Sequence, residues 1–214
     1  MKTTIALIMA AGDSSRMGGM IKQLLPIGDT TIIGRILTQL RVRETRAIIV
    51  THRSAIAGYH HRFHKPEKRD TVCDSLLSTE HLWDDRTIVL LGDVVYSNET
   101  LDLIMGCSDP IRVFGNTWEV FAIVFDKSMH AKVKRSLRRA RKHVAVGVNI
   151  THVVKLRHFY SDFCGIPMDF IDKPGVAPEP IVFCYIPKWI DWTMDIDTHH
   201  DYEMLQTKLM DKVA

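Results

Sequence analysis

Thr3-Thr4-Ile5-Ala6-Leu7-Ile8-Met9-Ala10-Ala11-Gly12-Asp13-Ser14-Ser15-Arg16-Met17-Gly18-Gly19-Met20-Ile21-Lys22 is the stretch that decides how this chain folds. Its first part, Thr3 to Met9, is rich in β-branched and apolar residues and predicts a buried parallel strand. Ala11 to Lys22 is a polar loop. After it Ile32, Ile33, Ile36, Leu37 and Leu40 recur with helical period and predict a helix from about Thr31 to Val42. Strand, small-residue loop and helix in that order open an α/β sheet.

The loop residues also suggest chemistry. Small residues at Ala10, Ala11, Gly12, Ser14 and Ser15 let a backbone approach a ligand closely, and successive N–H groups in such a turn cradle phosphate oxygens. Arg16 and Lys22 add the positive charge a triphosphate needs, one as a bidentate fork and one as a point charge. Two common phosphate loops are excluded. Gly12 and Gly18 have the wrong spacing for G-x-G-x-x-G, and no Gly-Lys-Ser/Thr closes the loop.

The 214 residues suit one α/β domain, residues 1–214, without a linker, repeat or low-complexity tract. With 46% hydrophobic and 25% charged residues the chain can bury a sizeable core. A formal charge of +3 fits polyanionic substrates without demanding nucleic acid. Cys73, Cys107, Cys164 and Cys184 form no C-x-x-C pair and read as reduced thiols of an intracellular protein. No stretch approaches the length of a membrane span, so the expected location is cytoplasmic and no membrane partner is expected. Homo-oligomerisation stays open.

Further along, Ala47–Thr51, Thr87–Leu91 and Val120–Phe125 read as strands, with weaker strand signals near Val144–Ile150, Met168–Ile171 and Ile181–Ile186. A helix starting at Asp74 as N-cap carries Leu76, Leu77 and Leu82 inward. Asn98 is placed to cap a helix that Gly106 closes. A long basic helix is expected around Ser128 to His143. A last helix after Thr198 puts Tyr202, Leu205 and Leu209 on one face. The span His52 to Arg69 shows no clear period.

Taken in order, Ala10-Ala11-Gly12, Arg16-Met17-Gly18, Lys22-Gln23-Leu24-Leu25-Pro26-Ile27-Gly28 and Thr31-Ile32-Ile33 resemble the signature of the nucleotidyltransferase family that includes sugar-phosphate and molybdopterin nucleotidyltransferases. The match departs from that signature at Ile21, where the family has Pro. The resemblance implies a Rossmann-like three-layer α/β/α sandwich with a mostly parallel mixed sheet. It also implies an NTP and a phosphorylated small-molecule acceptor as partners, a sugar phosphate being the commonest, and Mg²⁺ as cofactor. Ala10 to Ser15 would bind nucleotide, with Arg16 and Lys22 catalytic.

Asp93 follows the strand Thr87–Leu91, at the sheet edge where ligands bind in such folds, although an Asp there can also cap a turn. The resemblance makes it a magnesium ligand. Near the other end Asp195-Ile196-Asp197 places two carboxylates on one side of an extended segment. Such proximity is unfavourable without a cation between them, and Mg²⁺, a hard oxygen-seeking ion, is the natural one. An N-capping cluster for the last helix, with Asp197 or Thr198 as its cap, is the alternative, and Thr198 is expected to cap the helix in either case. His199-His200 stand where the family often has Pro-Glu, which leaves open a member that binds nucleotide without turning it over.

Ser75 matches the end of the family's base-recognition segment, and an ordinary helix start explains it nearly as well. Asp172-Lys173-Pro174 resembles the family's Glu-Lys-Pro, with Lys173 at the acceptor phosphate or simply in a β-turn. His60, His61 and His64 lack a fourth ligand for zinc and read as an exposed basic stretch. The basic helix reads as a solvated amphipathic helix, because Val133, Leu137 and Ala140 form a core-facing stripe. Nucleic acid is therefore disfavoured as a partner. The rival enzyme class is a glycosyltransferase of related fold, against which the Arg16/Lys22 loop argues.

Overall fold

The computed structural model describes residues 3–12, 17–60, 62–116, 119–141, 156–165, 183–186 and 192–210. The opening strand forms as expected: β1, Thr4–Met9, is buried along nearly its whole length. A small hairpin, β2 (Pro26–Ile27) and β3 (Thr30–Thr31), precedes helix α1, Ile32–Val42. Thr31 caps α1, its side-chain oxygen accepting from the Gly34 N–H. There follow β4 (Arg46–Val50), a short helix α2 (Ser54–Ala57), β5 (Phe63–His64) and α3 (Val72–Leu77). Next come β6 (Arg86–Leu91), β7 (Val94–Val95), α4 (Asn98–Gly106), β8 (Ile111–Gly115) and β9 (Val120–Asp126). The described chain closes with α5 (His130–Ala140), α6 (Leu156–Cys164), β10 (Phe183–Tyr185), β11 (Met194–Asp195) and α7 (His199–Met210).

Seven of these strands form one sheet in the order β10-β8-β9-β6-β1-β4-β5. All of its pairings are parallel except those of β9, which runs against both β6 and β8. Alternation along β1 explains the layers. Ala6, Ile8 and Ala10 join the core beneath α1, α4 and α7, built with Ile36, Leu40, Leu101, Ile104 and Leu205. Ile5, Leu7 and Met9 join the opposite core, built with Leu76 of α3, Val133 and Leu137 of α5, and Phe159 of α6. This is the Rossmann-like α/β/α sandwich with a mostly parallel mixed sheet.

Several local expectations need correction. α3 is capped by Thr71, not Asp74: Thr71 Oγ1 accepts from the Asp74 N–H at 3.0 Å and donates to Asp74 Oδ2 at 2.8 Å. Asp74 lies in the first turn, where its charge suits the helix dipole. Leu77 and Leu82 are only half-buried, Leu82 lying in a separate 3-10 turn. Ser97 rather than Asn98 caps α4, accepting from Thr100 N, and Gly106 is that helix's last residue. The basic helix runs from His130 to Ala140 after a 3-10 turn, with Val133, Leu137 and Ala140 buried as expected. The strand signals at 144–150 and 168–171 lie outside the described residues, as do His61 and the side chain of Leu209.

No described helix is long and apolar enough to cross a membrane. The four cysteines are free thiols, and burial, followed by the charge of Asp74, pushes Cys73 up to about 12. One fully buried polar group stitches the central strands together. Tyr96 Oη accepts from Leu91 N at 2.9 Å and donates to the Phe121 carbonyl at 2.7 Å, tying the end of β6 to β9. Tyr96→Phe leaves both backbone groups without that partner, so urea denaturation should show a loss of about 1–3 kcal/mol with an unchanged m-value.

Candidate active site

β1 and β6 end side by side, with Met9 paired to Leu91. At the next residue Gly92 N donates to Met9 O at 2.9 Å. A Cβ at Gly92 would lie 2.9 Å from that same oxygen and 3.1 Å from Ala10 Cβ. Glycine is therefore required for β6 to leave the sheet close against β1, and the residue it delivers to the mouth is Asp93.

A second device brings the distant acids to the same place. β11 pairs antiparallel with β7, Asp195 opposite Val94, and Ile196 N donates to the Asp93 carbonyl at 3.1 Å. Asp197 follows, immediately before α7. Thr198 Oγ1 accepts from Asp201 N at 3.2 Å, while Asp201 Oδ2 accepts from the N–H groups of Asp197 and Thr198 at 3.1 and 2.7 Å. This reciprocal capping box satisfies the helix start with Thr198 and Asp201. The Asp197 carboxylate is thus not the cap. One oxygen each from Asp93, Asp195 and Asp197 falls within 4.8 Å of the others.

Lys22 faces this cluster. It begins the 3-10 turn Lys22–Leu24, its carbonyl accepting from Leu25 N at 3.0 Å, and its side chain is only 6% exposed. Nζ lies 2.6 Å from Asp197 Oδ1 and 3.7 Å from Asp93 Oδ2. Among the described residues Asp195 makes no ion pair of this kind. Burial first, then the charges of Asp93, Asp197 and Glu119, push its carboxyl well above the usual range, against a smaller opposing effect of Lys22. Its Oδ1 is buried and has no hydrogen-bond partner among the described residues. A buried acceptor oxygen beside two further carboxylates fits a hard divalent cation, which takes oxygen ligands and removes the repulsion at once.

Glu119 is a feature the sequence did not reveal. The β6/β9 ladder pairs Leu90 with Ala122, and Glu119, just before β9, lies close enough for its charge to act on Asp195. Asn116 and Glu119 close the turn between β8 and β9, Asn116 N donating to Glu119 O at 2.9 Å and Glu119 N to Asn116 Oδ1 at 3.0 Å. A lone Glu just before a strand signals nothing until the fold brings it near other acids.

The loop that follows β1 begins at the same edge of the sheet. Ala10 is tied into the sheet, its N–H donating to Val50 O at 2.9 Å and its carbonyl accepting from Thr51 Oγ1 at 3.0 Å. Ala11 and Gly12 continue from there, and a Cβ at Gly12 would meet no atom within 4 Å among the described residues. Asp13, Ser14, Ser15, Arg16 and Lys173 lie outside the described residues. Ser75 is buried one turn into α3, on the opposite side of the sheet from α1.

The basic helix is tied down elsewhere. Lys134 pairs with Glu80, Arg139 with Asp162 at 2.9 Å and Arg141 with Asp74 at 3.2 Å, while Lys132 sits over the Phe163 ring. His60 and His64 bond to the Ala47 carbonyl and to Ser78 Oγ.

Residues 6–153 match the family described as the MobA-like NTP transferase domain. The bifunctional IPC transferase and DIPP synthase of Archaeoglobus fulgidus is 30% identical over 217 residues, taking in 92% of this chain and 42% of that protein. The chain thus spans less than half the length of this relative. Among solved structures, the inositol-1-phosphate CTP transferase from T. maritima superposes with a TM-score of 0.61 at 11% identity, covering 100% of this chain and 99% of the other. The CTP:phosphocholine cytidylyltransferase of Streptococcus pneumoniae gives 0.60 at 12% identity, covering 97% and 99%. At such identities these two speak for the fold.

The raised Asp195 carboxyl has a measurable consequence. The folded protein holds its proton more tightly than the unfolded chain, so the metal-free protein should lose stability as pH rises from the usual carboxyl range through the raised value. Urea denaturation in chelator at a series of pH values should show that decline, and Asp195→Asn should flatten it. An unchanged slope in Asp195→Asn would assign the decline to other groups.

Proposed function

The chain belongs to the MobA-like NTP transferase domain family and is a nucleotidyltransferase, and we propose that it transfers a nucleoside monophosphate from an NTP to a phosphorylated small molecule with release of pyrophosphate. The observation that carries this reading is the convergence of Asp93, Asp195, Asp197 and Lys22 at the sheet edge beside Ala10–Gly12. Residues 1–214 act on this reading as one transferase domain. An oxygen of the acceptor phosphate attacks the α-phosphorus in line; the new P–O bond forms as the bond to the β-phosphate oxygen breaks, and pyrophosphate leaves. No general base is needed, because the acceptor phosphate is already ionised near neutral pH.

Asp93, Asp195 and Asp197 hold Mg²⁺, which when bound neutralises charge on the phosphate oxygens. Ala10 to Ser15 cradle the nucleotide and Ser75 contributes to its recognition. Arg16 and Lys22 meet the charge of the triphosphate and of the departing pyrophosphate. Lys173 receives the acceptor phosphate. The acceptor is a sugar or polyol phosphate, and CTP is the first nucleotide to test, in keeping with the names of the relatives.

The deciding experiment measures pyrophosphate release with each of the four NTPs against inositol 1-phosphate, hexose 1-phosphates and phosphocholine, with Mg²⁺ present. Silence with every pair overturns the reading. Release of free nucleoside diphosphate from a nucleotide-sugar instead would assign the site to glycosyl transfer. Lys22→Ala should lower turnover by about 10²–10³ with a smaller effect on NTP binding. Asp93→Asn and Asp197→Asn should each abolish pyrophosphate release, and the double variant should be little worse than either, since both damage one unit. Fully additive losses would separate the two acids into different sites.

A further inference from the structure

We propose that Lys22 is a built-in counter-ion that occupies the divalent-cation site, and that cation binding and release of the Lys22 ammonium are one exchange. This rests on the reading of Asp93, Asp195 and Asp197 as the cation's ligands, and it adds an order of events to that reading. Nζ lies 2.6 Å from Asp197 Oδ1 and 3.7 Å from Asp93 Oδ2. Those two residues belong to the group of three carboxylates whose oxygens lie within 4.8 Å of one another. An ammonium and a divalent ion drawn to the same oxygens repel each other strongly in a half-buried site. The carboxylates therefore hold one or the other.

The exchange asks only the Lys22 side chain to move. Its backbone is fixed, the carbonyl accepting from Leu25 N at 3.0 Å and the 3-10 turn leading through the hairpin into α1. The side chain above that anchor is a four-carbon stem that moves Nζ by several bond lengths through rotation alone. In the ligand-free protein Lys22 offsets the repulsion within the cluster and keeps it folded. Once displaced, the ammonium is freed beside the phosphate loop that begins at Ala10 and ends at Lys22 itself. The same side chain thus holds the site together before loading and meets the triphosphate afterwards. A nucleotide arriving without a cation would find Lys22 engaged and the carboxylates exposed to its own charge, so binding should be ordered, with the cation first or the two together.

The test reads Lys22 directly in the full chain without nucleotide. Acetylation of lysines by acetic anhydride, followed by peptide mass spectrometry, should find Lys22 protected in chelator and several-fold more reactive with saturating Mn²⁺. Lys127, 76% exposed at the opposite end of β9, serves as the control and should not change. In parallel, Mn²⁺ titration followed by electron paramagnetic resonance should show Lys22→Met binding the ion about tenfold or more tightly than wild type, since no ammonium must be displaced. Mn²⁺ binding with Lys22 still protected would overturn the exchange and leave the three-carboxylate site standing. Failure of wild type and Lys22→Met alike to bind Mn²⁺ would overturn the site itself, and the exchange with it.

Discussion

Like charges in a half-buried space repel, and the mouth of this protein is organised around three carboxylates that converge despite it. Asp93, Asp195 and Asp197 come within 4.8 Å of one another, with Glu119 adding its field from the neighbouring turn. The one cation in direct contact with them among the described residues, Lys22, engages Asp197 and Asp93 and leaves Asp195 with a buried, unpartnered oxygen. A site built only for stability would not retain this arrangement, because an uncompensated buried acid is costlier than an apolar residue of similar shape. Such strain is expected where charge is meant to be met by a ligand.

The fold supplies the restraints that hold these charges in place. Parallel pairing of β1 and β6 brings the loop and Asp93 to one edge of the sheet, and Gly92 permits the contact between their ends. The β7/β11 pair carries Asp195 to that edge from about a hundred residues away in sequence. The capping box of α7 holds the Asp197 backbone while leaving its carboxylate to the cluster. Tyr96 closes the gap behind the site by tying β6 to β9. Each restraint uses backbone groups that would otherwise lack partners, so the rigidity of the site and the satisfaction of the fold are the same bonds.

Long, strongly patterned segments were legible without the structure. β1, α1, β6 and β9 fall within a residue or so of where their apolar runs and periods place them. Caps were harder, because Ser, Thr, Asp and Asn all suit the position and only geometry chooses Thr71 over Asp74 and Ser97 over Asn98. Short elements were missed. β5, β7 and β11 have two residues each, too few for any period, and exist because a neighbouring strand receives them. The basic helix is long and clear, yet its meaning depended on partners: Glu80, Asp162 and Asp74 come from other elements and answer much of its charge.

The sequence by itself determined the α/β class, the ordered Ala10-to-Lys22 loop and the separation of Asp195 from Asp197, because strand burial, turn chemistry and a one-residue spacing are local properties. The family resemblance had already assigned Asp93 to the same ion as that pair; the tertiary structure brings the three carboxylates together, adds the charge of Glu119 and points Lys22 into the acids. Those facts depend on strand order and register between segments far apart in the chain, and a local pattern does not specify which distant carboxylate its charge will meet.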